Sequence, residues 1–178
     1  MKLVSPAECY QTAFLRFVDD FTINDPENAK FYSEACVSFS YYVKSLNNQA
    51  LGINLPKFYV PCSHFWLLTD TDDVAGVIRV RHNIDNEFLS LEAGHIGYDI
   101  APSYRRRGFG KHMLRLALKE AKLLGLKQVL ITADEDNVAS RKVIEANKGV
   151  LDKVIQGKVF PSPIARYWVE CEPLESTD

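Results

Sequence analysis

The chain has 178 residues, of which 47% are apolar and 25% charged, and its formal net charge is -2. This composition suits one globular domain and argues against a disordered chain. The slightly acidic pI, near 6.1, argues against a general nucleic-acid or membrane-surface binder, because such proteins usually carry a basic face. We therefore expect one soluble domain with no nucleic-acid partner and no membrane partner.

The cysteine pattern indicates the cellular compartment. Cys9, Cys36, Cys62 and Cys171 are far apart and share no C-x-x-C spacing. Zinc and redox pairs need closely spaced ligands, so we expect neither a metal site nor a disulfide framework. The first twenty residues carry polar and charged residues throughout, unlike a signal peptide, and no apolar run approaches the roughly 18 residues of a membrane span. These features predict four reduced thiols in a cytoplasmic protein.

The N-terminal third is predicted to be a short strand followed by two helices. A strand at 2–4 precedes a capping-box pattern, in which Ser5 caps a helix, Pro6 takes its first position and Glu8 bonds back. A second helix is predicted over residues 28–46, because apolar side chains recur there at helical spacing. Aromatic residues are frequent in this second segment, and they either pack on a sheet or line part of a substrate pocket.

The middle of the chain is predicted to be rich in strands. Strands at 65–69 and 74–81 are separated by a polar turn, which predicts an antiparallel hairpin. Residues 83–91 fit a short helix or a loop equally well. A further strand is predicted at 94–100, and Pro102 ends it because proline cannot donate to the sheet ladder.

The C-terminal half alternates strand and helix and then ends in two strands. An amphipathic helix is predicted at 111–124, with Gly125 as its stop, because its charged and apolar side chains lie on opposite faces. The remaining elements are a buried strand at 128–133, a helix at 137–146 capped by Asp136 or Asn137, and strands at 150–160 and 164–170. This order predicts a mixed α/β domain and not a regular doubly wound repeat.

A basic, glycine-containing loop lies between the predicted strand and the amphipathic helix. The first N–H groups of a helix have no intrahelical partner, and the helix dipole adds positive charge there. Glycine allows close backbone approach, and the basic side chains attract anions, so the loop suits a pyrophosphate. It is neither a Rossmann fingerprint nor a Walker P-loop, and its alternative is a structural turn with solvated arginines. Its residues are Arg105, Arg106, Arg107, Gly108, Phe109, Gly110 and Lys111.

The loop matches the R/Q-x-x-G-x-G/A pattern of the GNAT superfamily of acyl-CoA-dependent N-acyltransferases. Residues 95–151 resemble the central region of that family almost continuously, and the segment 136–140 looks like its second motif. The likeness extends over about residues 60–170. The G-H-I-G-Y strand and the R-Y-W segment at 166–168 are similar to a little-characterised bacterial subgroup.

The resemblance implies a single N-acetyltransferase domain over residues 1–178. Its fold would be a central mixed, mostly antiparallel sheet flanked by helices, with splayed central strands forming the CoA cleft. Residues 1–60 would form a helical region on the acceptor side, residues 61–171 the acetyl-CoA-binding core, and residues 172–178 a polar tail. A homodimer is also compatible with the resemblance.

The resemblance further implies which residues bind acetyl-CoA as cosubstrate, without a metal. The pyrophosphate would bind the loop at 105–111, and the pantetheine arm would pair with the strand edge near Tyr98 and Ile100. Asn137 would hydrogen-bond the arm, and Ser140 would also reach the cofactor.

The implied reaction is direct attack of an amine on the thioester, with a base for the amine and an acid for the departing thiolate. Many family members place a tyrosine seven residues after the asparagine as that acid, but Ile144 stands there in this chain. Tyr98 is the first substitute, because it shares a strand face with Ile100. His95 and Glu92 are candidate bases, each with a structural role as its alternative.

We therefore predict an N-acetyltransferase that acts on a primary amine of a small molecule or a protein. A non-catalytic acyl-CoA sensor is the first alternative, and Ile144 favours it. A binding domain for another phosphate ligand is the second. The acceptor is not identified by any motif.

Overall fold

A seven-stranded sheet forms the centre of the computed structural model, which describes residues 1–171. The strand order is β1-β2-β3-β4-β5-β7-β6, and every neighbouring pair is antiparallel except β4 and β5. This confirms the predicted mixed, mostly antiparallel sheet. The predicted tail at 172–178 lies outside the described residues. The strands are β1 (Lys2–Val4), β2 (Cys62–Leu68), β3 (Val74–Arg81), β4 (Ile96–Ile100), β5 (Gln128–Asp134), β6 (Val150–Gln156) and β7 (Pro163–Glu170).

Helices cover both faces of the sheet. The helices are α1 (Gln11–Asn24), α2 (Pro26–Ala29), α3 (Ser33–Val37), α4 (Phe39–Leu51), α5 (Phe109–Leu123) and α6 (Val138–Glu145). Short 3₁₀ turns lie at Glu8–Tyr10, Lys30–Tyr32 and Pro102–Tyr104, and a π-helical turn lies at Leu89–Ala93. From residue 60 onward the predicted elements are confirmed with shifted ends. Residues 83–91, which fitted either a helix or a loop, enter the π-helical turn.

Each face of the sheet has its own buried core. On one face, α5 and α6 bury aliphatic side chains such as Met113, Leu114 and Ile144 against the strands. On the other face, α1 to α4 bury an aromatic cluster that surrounds Phe14 and Trp66, whose ring centroids are 4.4 Å apart. Both faces of the central strands are therefore covered, which explains their continuous apolar sequence.

The predicted capping box at Ser5 is wrong. Helix α1 begins at Gln11, after the 3₁₀ turn, and no side chain caps either element. The Glu8 carboxylate does not bond back to Ser5 but accepts a 2.6 Å hydrogen bond from the hydroxyl of Ser40. A tertiary contact with α4 thus replaces the local contact that the sequence pattern indicated.

The predicted single helix at 28–46 is also wrong, because the segment folds as several short helical pieces. The backbone becomes extended at Ser38, with φ -155° and ψ 99°, and α4 starts at the next residue. No proline or glycine marks this break in the sequence. Of its aromatic residues, Tyr42 is buried in the core, whereas Phe31 is exposed and lines two cavities. That this segment lines a substrate pocket stays a prediction.

The two parallel strands at the centre of the sheet separate almost at once. Ile96 and Ile131 form the one paired position that joins β4 to β5, whereas β4 pairs with β3 along its whole length. The edge of β4 that faces β5 is therefore open beyond Ile96. Splayed central strands, as predicted, are confirmed.

None of the helices formed by residues 1–171 combines the length and the apolar character that crossing a membrane requires.

Candidate active site

A cleft cavity of about 440 Å³ opens where β4 and β5 separate. Of the predicted site residues, Glu92, Tyr98, Asn137 and Ser140 line it. His95, Ile100 and the loop at 105–111 lie outside this lining. The lining also includes Arg79, Phe31 and Phe160, which the sequence analysis did not select.

The basic loop leads directly into α5, as the anion-site hypothesis requires. Helix α5 starts at Phe109, and its first turn closes where the His112 N–H donates to Gly108 O at 3.1 Å. The N–H groups of Phe109, Gly110 and Lys111 precede it and so are the orphan donors of the helix start. The loop therefore offers backbone amides and the positive end of a 15-residue helix to an anion.

The two glycines of the loop serve different purposes. Gly108 has φ +84°, and a Cβ added there would meet no atom within 4 Å, so its outer side is open. A Cβ on Gly110 would lie 3.2 Å from the Val143 side chain and 3.5 Å from that of Ile100. Gly108 thus leaves space for a ligand, whereas Gly110 allows α5 to pack closely on β4 and α6.

Arg105 is held by the protein itself. Its Nε donates to Ile100 O at 3.0 Å, and its Nη2 donates to the Asp25 carboxylate at 2.5 Å. The guanidinium also lies 5.5 Å from the Phe21 ring centroid, and its hydrogen bond holds the pKa of Asp25 below the ordinary value. Arg105 therefore ties the loop to the end of α1 through its Nε and Nη2 groups.

The other cationic side chains of the loop differ in whether contacts with the protein hold them. The Arg107 guanidinium lies 5.5 Å from the Tyr104 ring centroid and 5.4 Å from that of Phe109, and it donates to Ser103 O at 3.3 Å. Arg106 and Lys111 are exposed, and neither side chain has a partner among residues 1–171. Arg106 also has φ +59°. These two side chains are the free cations next to the open side of Gly108.

Tyr98 crosses from β4 to the start of α6. Its hydroxyl lies 2.9 Å from Ser140 Oγ and 3.3 Å from Ser140 O. Burial raises the pKa of Tyr98 to about 12, although the Ser140 hydrogen bond works against this shift. Tyr98 is therefore a neutral hydrogen-bond donor at pH 7, on the wall of the cleft.

Asn137 caps α6 and faces the same cleft. Its Oδ1 accepts the Ser140 N–H at 3.0 Å, which confirms Asn137 as the N-cap. The side-chain amide nitrogen has no acceptor within residues 1–171, so it can still donate to a ligand. Ile144, in the next turns of this helix, is fully buried in the core and offers no polar group to the cleft.

His95 joins β4 to β5 at the point of separation. Its N–H donates to Leu130 O at 2.7 Å, and its Nδ1 accepts the Leu130 N–H at 2.9 Å. Burial, with a further contribution from Arg81, lowers the pKa of His95 to about 4. The imidazole is therefore neutral at pH 7, and its Nδ1 lone pair is already occupied.

Glu92 holds the loop between β6 and β7. Its carboxylate accepts hydrogen bonds from the backbone N–H groups of Lys158, Val159 and Phe160, at 2.8 to 3.3 Å. These bonds, with that from Phe160 the strongest influence, lower the pKa of Glu92. Close packing is visible at Gly157, where a Cβ would lie 2.4 Å from Glu92 Oε2. Glu92 thus brings Phe160 to the rim of the cleft.

A second cavity, of about 260 Å³, adjoins the cleft on the side of α1 to α4. Arg79 and Phe31 line both cavities, so the two spaces are neighbours. No sequence motif indicates this second cavity, because the residues that line it lie on separate helices and strands. Among residues 1–171, no three His, Cys, Asp or Glu side chains converge into a group that could hold a metal ion.

Comparison with known proteins identifies the class. A family model for GNAT acetyltransferase domains matches residues 19–149. The chain belongs to the GNAT acetyltransferase family, which makes it an acyltransferase. No curated protein shows a significant match to the chain.

Solved structures share the fold at low sequence identity. The microcin C7 self-immunity acetyltransferase MccE, in complex with acetyl-CoA and AMP, matches with a TM-score of 0.67 and 16% identity, over 94% of this chain and 91% of MccE. An acetyltransferase from Salmonella typhimurium that modifies the N-terminal serine of a 50S ribosomal subunit protein has a TM-score of 0.62 and 15% identity, over 94% and 93%. A variant of the spermidine N-acetyltransferase SpeG from Vibrio cholerae has a TM-score of 0.59 and 11% identity, over 96% and 95%.

Proposed function

We propose that this protein transfers the acetyl group of acetyl-CoA to a primary amine of a small-molecule or protein acceptor. The observation that carries the proposal is the separation of β4 and β5 beside an open, basic helix start. The structurally similar proteins support it, since MccE was solved with acetyl-CoA and the other two act on a terminal amine and on spermidine.

Acetyl-CoA would lie along the open edge of β4. Its pyrophosphate would accept hydrogen bonds from the backbone N–H groups of Phe109, Gly110 and Lys111, with the Arg106 side chain nearby. The pantetheine amides would pair with the free backbone groups of β4, as an added strand does. The Asn137 side-chain amide would donate to the arm.

The acceptor amine would attack the thioester carbonyl carbon directly. A new C–N bond forms, the C–S bond breaks, the amine releases one proton to the solvent and CoA leaves as a thiolate. A backbone N–H on the open edge of β4 would stabilise the oxyanion of the tetrahedral intermediate.

Tyr98 would stabilise the departing thiolate. Its hydroxyl is neutral at pH 7, because burial raises its pKa to about 12. A thiol has a pKa near ~8.5, so complete proton transfer from Tyr98 to sulfur is unfavourable. We therefore propose that Tyr98 donates a hydrogen bond to the sulfur and that the solvent supplies the proton afterwards.

His95 and Glu92 would act as positioning residues. Each already accepts backbone hydrogen bonds, His95 from β5 and Glu92 from the loop between β6 and β7. Protonation of either group during turnover would disrupt those bonds. Their proposed role is to fix the width of the cleft and the position of its rim.

Calorimetric titration with acetyl-CoA, followed by a thiol-release assay with an amine library, tests the proposal. The controls are 3′-dephospho-CoA and ATP. Selective binding of acetyl-CoA with amine-dependent thiol release is the expected result. Binding without release would favour an acyl-CoA sensor, and equal binding of ATP would favour a site for another phosphate ligand.

We also propose that the protein acts in the cytoplasm. All four cysteines are free thiols, two of them exposed. Reduced thiols of this kind are typical of a reducing compartment.

A further inference from the structure

Arg79 lies at the boundary between the two cavities. It is on β3 directly opposite Gly97 on β4. A Cβ on Gly97 would lie 2.8 Å from Arg79 Nε and 3.2 Å from its Nη2, so the guanidinium extends across the space that a side chain would fill. Gly97 follows Ile96, the last residue of β4 that pairs with β5. The guanidinium is therefore next to the point where the open edge begins.

The N–H donors of Arg79 make no hydrogen bond with residues 1–171. Its contact with a carboxylate is a long ion pair, in which Nη2 lies 4.0 Å from Asp99 Oδ2. That oxygen already accepts the Tyr32 hydroxyl at 2.8 Å. The Arg79 side chain is 40% exposed. An arginine in this state is available to a ligand.

Arg81, two residues further along β3, provides a contrast. It lines the same cleft, but its Nη1 donates to Ala93 O at 3.2 Å and to Gly94 O at 2.9 Å. Arg81 thus closes the end of the π-helical turn. Arg79 and Arg81 both line the cleft from β3, and of these two only Arg79 makes no hydrogen bond with residues 1–171.

The adjoining cavity, of about 260 Å³, has walls of mixed character. Tyr32, Tyr42 and Trp66 form its aromatic part, and Glu34, Ser45 and Gln49 form part of its polar remainder. The His64 ring also faces it, with Nε2 3.0 Å from Gln49 Oε1. Burial, helped by Arg79 and Arg81, lowers the pKa of His64 to about 4, so the ring adds no charge at pH 7.

We propose that the acceptor is an amino-acid-like amine, with a carboxylate on the carbon next to the amine and a side chain long enough to enter the adjoining cavity. Arg79 binds the carboxylate through two parallel hydrogen bonds, and the adjoining cavity holds the side chain. This places the amine beside Gly97, at the open edge of β4. The inference rests on the proposed acetyltransferase function.

A set of matched acceptors tests this inference. For phenylalanine, leucine and alanine, the free acid is compared with its amide and with the amine that lacks the carboxyl group, and spermidine serves as a polycation. The free acids are expected to give the highest kcat/KM, with phenylalanine or leucine above alanine. Equal rates for acid, amide and decarboxylated amine, or a preference for spermidine, would overturn the inference while the acetyltransferase function stands.

Variants of Arg79 assign the effect to one side chain. Arg79→Gln is expected to lower kcat/KM for the free acids by about 10- to 100-fold, the cost of one charge-assisted pair, and to leave the decarboxylated amines almost unchanged. Arg79→Lys keeps the charge but not the planar fork, and its effect should be intermediate. Lys119→Gln removes an exposed cation from α5 and is the charge control.

Product binding gives a readout that does not depend on turnover. N-acetyl-phenylalanine and N-phenethylacetamide are titrated calorimetrically into the protein saturated with CoA, in the wild type and in Arg79→Gln. Tighter binding of the carboxylate product, lost in the variant, supports the inference even if no acceptor turns over. Equal or absent binding of both products overturns it. Absence of CoA binding itself would instead contradict the proposed function.

Discussion

At the scale of single residues, the loop shows that one motif combines ligand binding with packing. Gly108 opens towards free space, whereas Gly110 sits against Val143 and Ile100. Arg105 donates to Asp25 and to a backbone carbonyl, whereas the Arg106 side chain has no partner within residues 1–171. A short sequence pattern therefore does not say which of its members touches the ligand.

Gly108→Glu is expected to abolish acetyl-CoA binding and leave the fold intact. The new carboxylate would occupy the open side of the loop and repel the pyrophosphate, so affinity should fall by about 100-fold or more. Calorimetric titration measures the affinity, and thermal unfolding measures the stability.

Gly125→Glu is the matched control for this variant. Gly125 has φ +88° and the same open surroundings, but it lies after the other end of α5. Both variants carry the same backbone strain of about 1–2 kcal/mol. Normal acetyl-CoA affinity in folded Gly108→Glu, or an equal loss in Gly125→Glu, would contradict the loop assignment.

Tyr98→Phe is expected to lower kcat by roughly 10- to 100-fold with a smaller change in acetyl-CoA affinity. The variant loses the hydroxyl that would stabilise the thiolate, but it keeps the ring that packs on the core. Ser140→Ala leaves that hydroxyl in place and should have the milder effect. Steady-state thiol release with calorimetry separates rate from binding, and an unchanged kcat would exclude the proposed role of Tyr98.

At the scale of elements, the cleft is framed by segments that side chains tie together. The Asp20 carboxylate accepts both the N–H and the hydroxyl of Ser103, and Asp25 holds Arg105, so α1 is joined to the start of the cofactor loop. On the opposite side, Glu92 joins the π-helical turn to the loop between β6 and β7. Side chains thus tie the proposed cofactor loop to α1, and the π-helical turn to the loop between β6 and β7.

Glu92→Gln tests whether Glu92 positions the rim or acts as a base. The neutral amide cannot accept all the backbone N–H groups that the carboxylate binds, so the melting temperature should fall. If Glu92 only positions the rim, kcat should stay within about threefold of the wild type, whereas loss of a base costs about 100-fold or more.

Glu87→Gln is the control, because Glu87 bonds the exposed side chain of Lys158 instead of its backbone. An exposed ion pair contributes little to stability, so the melting temperature of this variant should barely change. A large fall in kcat for Glu92→Gln at an unchanged melting temperature would restore Glu92 as the base.

At the scale of the whole molecule, stability should depend on pH through buried neutral histidines. The pKa values of His64 and His95 are lowered to about 4 in the fold, from an ordinary 6.5. Between these values the unfolded chain binds protons that the folded chain does not, so the free energy of unfolding decreases as the pH falls from 6.5 to 4. Urea unfolding at pH 7, 5.5 and 4.5 should show uptake of about two protons on unfolding near pH 5.

His95→Asn should reduce this proton uptake and therefore flatten the pH dependence between 6.5 and 4. It should also be less stable than the wild type at pH 7, because the bond from the Leu130 N–H is weakened. A stability that does not change between pH 7 and 5 would show that these histidines are not held neutral by the fold.

The sheet also separates the proposed roles of its two faces. Helices α5 and α6 cover the face where Tyr98, Asn137 and the cofactor loop lie, and α1 to α4 cover the face of the second cavity. The gap between β4 and β5 lies between these two faces. In the proposed reaction, acetyl-CoA and the acceptor approach this gap from opposite faces of the sheet.

Local signals explain what could be predicted from the sequence. Strand and helix patterns after residue 60, the cofactor loop and the cap at Asn137 each depend on residues that are neighbours in the chain, and so does the absence of the usual tyrosine at Ile144. These features follow from backbone preferences, periodicity and a short motif, which need no knowledge of distant contacts. The family resemblance also rests on short motifs, the loop at 105–111 and the segment 136–140, whose residues are neighbours in the chain.

Only the tertiary structure decided which of these residues are free to act. Glu8 bonds the distant Ser40, and α1 begins only at Gln11. The segment 28–46 is interrupted at Ser38, and its buried aromatic side chains pack into the core on the sheet. Contacts between distant segments occupy Arg105, His95 and Glu92 and leave Arg79 open. Whether a polar group can bind a ligand depends on the side chains and backbone groups that surround it in the fold. A local sequence pattern does not contain that information.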